Sequence, residues 1–359
     1  MAREKNLHAD RYWHILMHYE KKLTGVESQV DDPDFFLAEA GKTDPEAELR
    51  ATIRYLFDGE TDAQEAACRF YARFGWLKEE LGRVLPQCFA GRDCPDIDRI
   101  NPRSASLIFP TYYMNNPASM FGHTLIIIDT AYTNKRLSNA VNYAAVTGGG
   151  DGLSMALSGL TGLYQGYYSV MPYYKKIQEY SDINQRDIWE YRLNLTPAEL
   201  RRMVRHIREM DEIGSDYYFF DENCSYNLLY LIEAARPSVQ LIDRFDLYAI
   251  PIDTVKAVKK EGLIVGAAFR PAKATRIDYL IDDLGAGQVA AAEAIIRGRT
   301  APAALLDEPF SREAKIRILD LVVEVIQYQY VTEDLDKESY RKQLLSALRV
   351  RSGLGKAET

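Results

Sequence analysis

The run Tyr217-Tyr218-Phe219-Phe220-Asp221-Glu222-Asn223-Cys224-Ser225-Tyr226-Asn227-Leu228-Leu229 puts a thiol where an aromatic, strand-like stretch gives way to an apolar helix. Asp221 and Asn223 are good N-cap residues, so Cys224 is expected in the first turn of that helix. Unpaired backbone N–H groups and the positive end of the helix dipole favour an anion there, which eases ionisation of a thiol. A thiolate so placed can attack an ester or amide carbonyl and form a thioester. The competing reading is a buried structural cysteine.

A nucleophilic thiol needs a base, and the chain has five histidines. His8, His14 and His18 fall in Leu7–Leu23, which reads as one amphipathic helix with His14 and His18 on a shared face. No acidic or cysteine partner and no His-Glu-x-x-His pattern accompanies them, so a solvated or half-buried pair is expected rather than a metal site. His206 lies in Arg201-Arg202-Met203-Val204-Arg205-His206-Ile207-Arg208, a basic helix face, and is expected to be exposed. His123 is different. It precedes Thr124-Leu125-Ile126-Ile127-Ile128-Asp129, a β-branched run that reads as a buried strand, where each ring nitrogen must find a partner.

The chemistry expected is therefore a Cys224–His123 pair, with His123 as general base and proton carrier. The Cys224 backbone N–H is expected to stabilise the oxyanion, a role typically worth about 3 kcal/mol. A third group should fix the His123 tautomer, and Asn142 on the adjacent expected strand is the candidate, a structural amide being the alternative. Asn116, Ser119 and Glu222 flank the pair. Tyr164 lies in a segment over 153–180, rich in tyrosine and glycine, that can cover a cleft, meet lipid headgroups or simply pack on the sheet. All four are candidates for binding substrate or shaping the site, with capping and loop bonding as the alternative roles. No metal or other cofactor is called for.

Several elements must position these residues. Helices are expected over 6–23, 46–57 and 62–83, followed by a turn-rich connection over 85–103. Strands are expected at Ser104–Pro110, Thr124–Asp129, Asn139–Val146 and Ile188–Leu195, with a loop at Gly148-Gly149-Gly150-Asp151-Gly152. A helix over 197–212 begins with the capping pattern Thr196-Pro197-Ala198-Glu199. The Cys224 helix should stop near Arg236-Pro237, and the remainder to 359 is charged and mainly helical. This divides the chain into an N-terminal helical region (1–84), a catalytic core (85–240) and a C-terminal mainly helical region (241–359).

Composition narrows the function classes. With 359 residues, 47% of them hydrophobic, the chain can bury a full core. A net charge of −8 without a basic stripe argues against nucleic acid. No apolar run is long enough to span a bilayer, and Met1-Ala2-Arg3-Glu4-Lys5 is not a signal peptide. Cys68, Cys88 and Cys94 lie within 27 residues. Either Cys88 or Cys68 could pair with Cys94, and a disulfide implies an oxidising compartment.

Five motifs together resemble one family. They are Phe109-Pro110-x-Tyr112-Tyr113-x-Asn115-Asn116-Pro117-Ala118-Ser119-Met120-Phe121-Gly122-His123, Asn142-Tyr143-Ala144-Ala145, Gly166-Tyr167-x-Ser169-Val170-Met171-Pro172-Tyr173-Tyr174, Arg186-Asp187-Ile188-Trp189-Glu190-Tyr191 and Glu222-Asn223-Cys224-Ser225-Tyr226. In order, from about Cys68 to Pro271, they are similar to the Lnb N-terminal periplasmic domain family. Its named member transfers an acyl chain from phospholipid to a lipoprotein amino terminus. The resemblance implies an α+β fold with a circularly permuted papain/NlpC-like core, an antiparallel sheet packed on the cysteine helix, with helical additions at both ends. His123 precedes Cys224 by 101 residues, as a permuted order requires. It also implies a periplasmic location, with a leader removed from the chain, and a phospholipid or lipoprotein substrate at the membrane surface. The family's named member has membrane-spanning helices after its soluble domain. This sequence departs from that member there, since no apolar run in it is long enough to span a bilayer. The alternatives are a cysteine peptidase or amidase acting on cell-wall peptide, and a noncatalytic envelope module that retains the fold.

Overall fold

The computed structural model describes residues 2–59, 62–92, 94–95, 100–111, 123–130, 138–146, 162–177, 186–220, 222–245, 248–332 and 334–356. The chain forms two compact units, Met1–Tyr174 with Trp189–Ala268, and Lys175–Ile188 with Phe269–Thr359.

The first unit opens with α1 (Arg11–Leu16), a hairpin of β1 (Tyr19–Lys21) and β2 (Val26–Ser28), then α2 (Pro45–Phe57), α3 (Ala63–Arg69), α4 (Tyr71–Leu81) and the short α5 (Pro86–Phe89). The expected helix over 6–23 stops at Leu16. Ser28 Oγ donates to the Met17 carbonyl and the Gln29 N–H to that of His18, so both acceptors that would continue the helix are taken. His18 itself is left-handed, with φ 53°. His14 and His18 therefore share no helix face.

The helix expected over 62–83 is also two. Phe70 leaves helical geometry, and the Glu209 carboxylate accepts the N–H groups of Ala72 and Arg73 at 2.8 and 3.1 Å, capping α4 from across the unit. Arg73, fully buried, spans Glu209 at 2.5 Å and Glu48 at 2.8 Å. Cys68 is bonded to Cys94, with Cα atoms 5.3 Å apart, and Cys88 is free.

A seven-stranded sheet follows, built from β3 (Ser104–Pro110), β4 (Leu125–Asp129), β5 (Asn139–Ala145), β6 (Tyr164–Pro172), β7 (Ile188–Leu193), β8 (Gly214–Tyr217) and β9 (Ile264–Arg270). Its order is β8-β6-β5-β4-β3-β7-β9. The meander from β3 to β6 and the β6–β8 pair are antiparallel. Between β6 and β9 lie α6 (Tyr173–Ile177), α7 (Pro197–Glu209), α8 (Cys224–Ala235) and α9 (Pro251–Lys260). Every residue of β3 after Ser104, and all of β4 but Asp129, is buried. Such continuously buried strands are the centre of a covered sheet, and α7, α8 and α9 cover them. The tyrosine-rich segment supplies β6, whose Tyr168 and Gly166 face inward while Gln165 and Val170 are exposed. β9 is a strand in a region expected to be mainly helical. The glycine run 148–152 lies outside the described residues.

The second unit contains α10 (Lys273–Asp282), α11 (Ala286–Ile296), α12 (Arg312–Val331) and α13 (Lys337–Gly353). Ala292, Ile295, Ile318, Leu319, Val322 and Ala347 make its core. The fold is α+β, with one large, mainly antiparallel sheet and many helices.

Candidate active site

Cys224 is the first residue of α8 and is buried. The local sequence fixes it there. Asn223 is extended, and its side-chain oxygen accepts the N–H groups of Ser225 (3.0 Å) and Tyr226 (3.3 Å), while its amide nitrogen donates to the carbonyls of Phe219 and Ala249. The cap thus starts the helix and pins the loop before it.

His123 sits two residues ahead of β4 and is half-buried. Its Nε2 lies 2.6 Å from Oδ1 of Asn142, a buried residue of β5. The β4–β5 register, Ile126 opposite Val141, brings the start of β4 level with Asn142. An amide oxygen only accepts, so Nε2 carries the proton and the other ring nitrogen serves Cys224, with which the imidazole shares a hydrogen bond.

The sulfur has further partners. The Thr124 backbone N–H donates to it, and the Ser225 hydroxyl lies 3.8 Å away. Thr124 Oγ1 donates to Ser225 Oγ at 3.0 Å, which leaves the Ser225 proton for the sulfur. Burial pushes the Cys224 thiol up, but His123, the Thr124 N–H and the Ser225 hydroxyl outweigh it and bring the thiol below its ordinary value, to about 7.

One expected donor is already engaged. The Cys224 N–H, expected to await an oxyanion, donates to Tyr217 Oη at 3.2 Å. Tyr217 ends β8 and is buried. Its phenol also hydrogen-bonds the Cys224 side chain. Burial, followed by charge on Cys224, holds it well above the ordinary phenol range, so it remains protonated.

Cys224, His123 and Asn142 therefore come together. Tyr164 begins β6 directly opposite Tyr217 and is half-buried. Glu222 lines a cavity of about 900 Å³ together with Arg11, Glu20, Gln29, Tyr226 and Glu233, a cavity whose lining includes neither Cys224 nor His123. Asn116 and Ser119 lie outside the described residues. Tyr217, Thr124 and Ser225 escaped the sequence reading as site residues. For Thr124 and Ser225 the signal was adjacency, since each follows a candidate site residue, whereas the place of Tyr217 depends on where β8 ends.

His206 is not exposed. It falls on the α7 face with Leu200, Met203 and Ile207, and the arginines occupy the other side. Its Nε2 meets Nε2 of His18 at 3.0 Å in the core, with Tyr230 stacked on His18 at 3.8 Å.

Around this centre, residues 95–261 match the family described as the Lnb N-terminal periplasmic domain. Residues 5–80 and 267–359 match two families described as domains of unknown function, DUF7843 and DUF7842. No curated protein and no solved structure matches the chain. Residues 95–261, which carry the sheet from β3 to β8 together with His123, Asn142 and Cys224, are a Lnb N-terminal periplasmic domain.

Proposed function

We propose that this protein is a periplasmic cysteine acyltransferase or acyl hydrolase that works through a thioester on Cys224. The observation that carries this reading is the joined set Cys224–His123–Asn142, with the thiol brought to about 7. At neutral pH a large fraction of such a thiol is thiolate, paired with imidazolium. The cysteine at a helix start, the histidine just ahead of β4 and the strand-borne amide beyond it also support a permuted papain/NlpC-like core for this sheet.

In the first half-reaction the Sγ electron pair attacks the acyl carbonyl carbon and the C=O pair moves onto oxygen. Collapse expels the alkoxide, which takes the proton held by His123. In the second half an amine or water gives its proton to His123 as it attacks the thioester, and the sulfur leaves as thiolate.

Apolar exposure supports an acyl substrate. Val146, Leu163 and Phe220 are exposed large apolar residues, and all three leave the sheet at the end where His123 enters it. An acyl chain or phospholipid surface fits that composition. Among the described residues no helix is long and apolar enough to cross a membrane.

The polar cavity beside Glu222 favours a second reading, a cysteine amidase acting on cell-wall peptide. Incubation with phospholipid vesicles and, separately, with cell-wall peptide separates the two. The acyl reading expects lysophospholipid, with free or transferred fatty acyl chain, from the wild type and none from Cys224→Ser. Cleavage of peptide alone would replace it with the amidase.

A further inference from the structure

We propose that Tyr217 is the oxyanion donor of this site, its hydroxyl taking the place of the Cys224 N–H. This rests on the reading of Cys224 as a nucleophile toward acyl carbonyls.

A carbonyl oxygen attacked by a thiolate at a helix start develops its charge beside the nucleophile's own N–H. Here that N–H is directed at Tyr217 Oη, 3.2 Å away. The phenol oxygen accepts this bond, and its single proton remains to be given. At rest the recipient is the sulfur, whose hydrogen bond with Tyr217 accompanies that with His123. When the Sγ–C bond forms, the negative charge leaves sulfur and appears on the former carbonyl oxygen, two bonds away. The Tyr217 proton follows the charge by a small rotation about the C–O bond. The O–H bond stays intact throughout, and the C=O pair returns when the leaving group departs with the proton from His123. The chain from Cys224 N–H through Tyr217 O–H to the oxyanion is polarised in one direction, which strengthens its last link.

The fold holds this phenol in place. Tyr217 is paired with Tyr164 across β8 and β6, and its ring stacks on Tyr143 at 5.9 Å and meets Phe219 edge-on at 6.0 Å. Tyr143 in turn occupies the space over Gly166, where an added Cβ would come within 2.5 Å of its ring hydroxyl. The Asn223 amide braces the loop joining Tyr217 to Cys224 through the carbonyls of Phe219 and Ala249. A donor fixed before reaction needs no reorganisation when charge develops.

The test compares two electrophiles on full-length protein. Attack on p-nitrophenyl butyrate develops an oxyanion, and alkylation by iodoacetamide does not. Rates are taken at equal thiolate fraction, set from each variant's own alkylation–pH profile. Tyr217→Phe is expected to slow acylation of Cys224 about a hundredfold while changing alkylation less than about threefold. The alkylation rate and an unchanged melting curve report that the site is folded. Tyr217→Trp, which fills the space without a hydroxyl at that place, should show the same split. Equal losses in both reactions would reduce Tyr217 to a structural role and overturn the proposal. An unchanged or faster ester reaction would make the phenol an obstruction on the Cys224 N–H and overturn it too. Wild-type protein that alkylates but never acylates would overturn the thioester reading itself, and the oxyanion role with it.

Discussion

Asn142 Oδ1 accepts from His123 Nε2 at 2.6 Å, across the β4–β5 pair and away from the thiol that the same ring serves. The amide thereby selects a tautomer, and Asn142 acts on the chemistry only through His123. Asn142→Ala is expected to lower turnover by about 10- to 100-fold. Melting temperature should change little, and rotation of the freed ring should broaden the pH–rate profile's acid limb. A variant that loses only stability would make Asn142 a structural amide.

The thiol carries a second expectation. Its depressed ionisation means that the thiolate is present above about pH 7 and is lost as pH falls through that value. Iodoacetamide labelling of Cys224 should follow a titration with its midpoint near 7. His123→Ala removes the partner that offsets burial, so the midpoint should rise above the ~8.5 of a free cysteine and labelling at pH 7 should fall by at least about tenfold. An unchanged midpoint would remove His123 from the pair.

The placing of Cys224 at a helix start and of His123 beside a buried strand was legible because these residues carry local signals. Asn223-Cys224 is a cap followed by an apolar helix, and His123 opens a β-branched run that had to be buried. The His18–His206 pair was not. A single helix over 6–23 satisfies the apolar spacing of Trp13, Ile15 and Leu16, and only the distant Ser28 hydroxyl takes the Met17 carbonyl that would have continued it. His206 was hidden by four arginines in eight residues, although its spacing from Met203 and Ile207 places it on the inner face of α7. The engagement of Cys224 N–H by Tyr217 was beyond the sequence for another reason. It depends on β8 ending at Tyr217 and lying against β6, and strand ends are set by tertiary pairing.

Because both histidines of that pair are buried, acid should destabilise the first unit. Burial lowers His18 well below its ordinary range, with His206 adding to the effect. Burial and the neighbouring Arg73 push His206 down to about 3. The folded state keeps them neutral, whereas the unfolded chain binds protons below about 6.5. Stability is therefore full above about pH 6.5 and falls as pH drops from there toward 3. For His206 alone the loss is about 2 kcal/mol at pH ~5. Urea titrations at pH 7.5 and 5 should show this loss. His206→Gln should flatten the slope, and a slope that survives the substitution would assign it to other groups.

The Cys68–Cys94 bond closes a separation of 26 residues. Reduction should lower the stability of the first unit by about 3–4 kcal/mol through loop-closure entropy. Cys88→Ala should leave that stability and its response to reductant unchanged, since Cys88 is a free thiol. Loss of the reductant effect in Cys88→Ala would place Cys88 in the bridge instead.

The most direct measurement is the intact mass of the protein after brief exposure to phospholipid vesicles. The expected result is a fraction heavier by one fatty acyl group. The addition should map to Cys224, be removed by neutral hydroxylamine and be absent from Cys224→Ala and His123→Ala. The contradicting result is a Cys224 that iodoacetamide labels readily while no phospholipid or other acyl donor leaves a hydroxylamine-sensitive adduct on it.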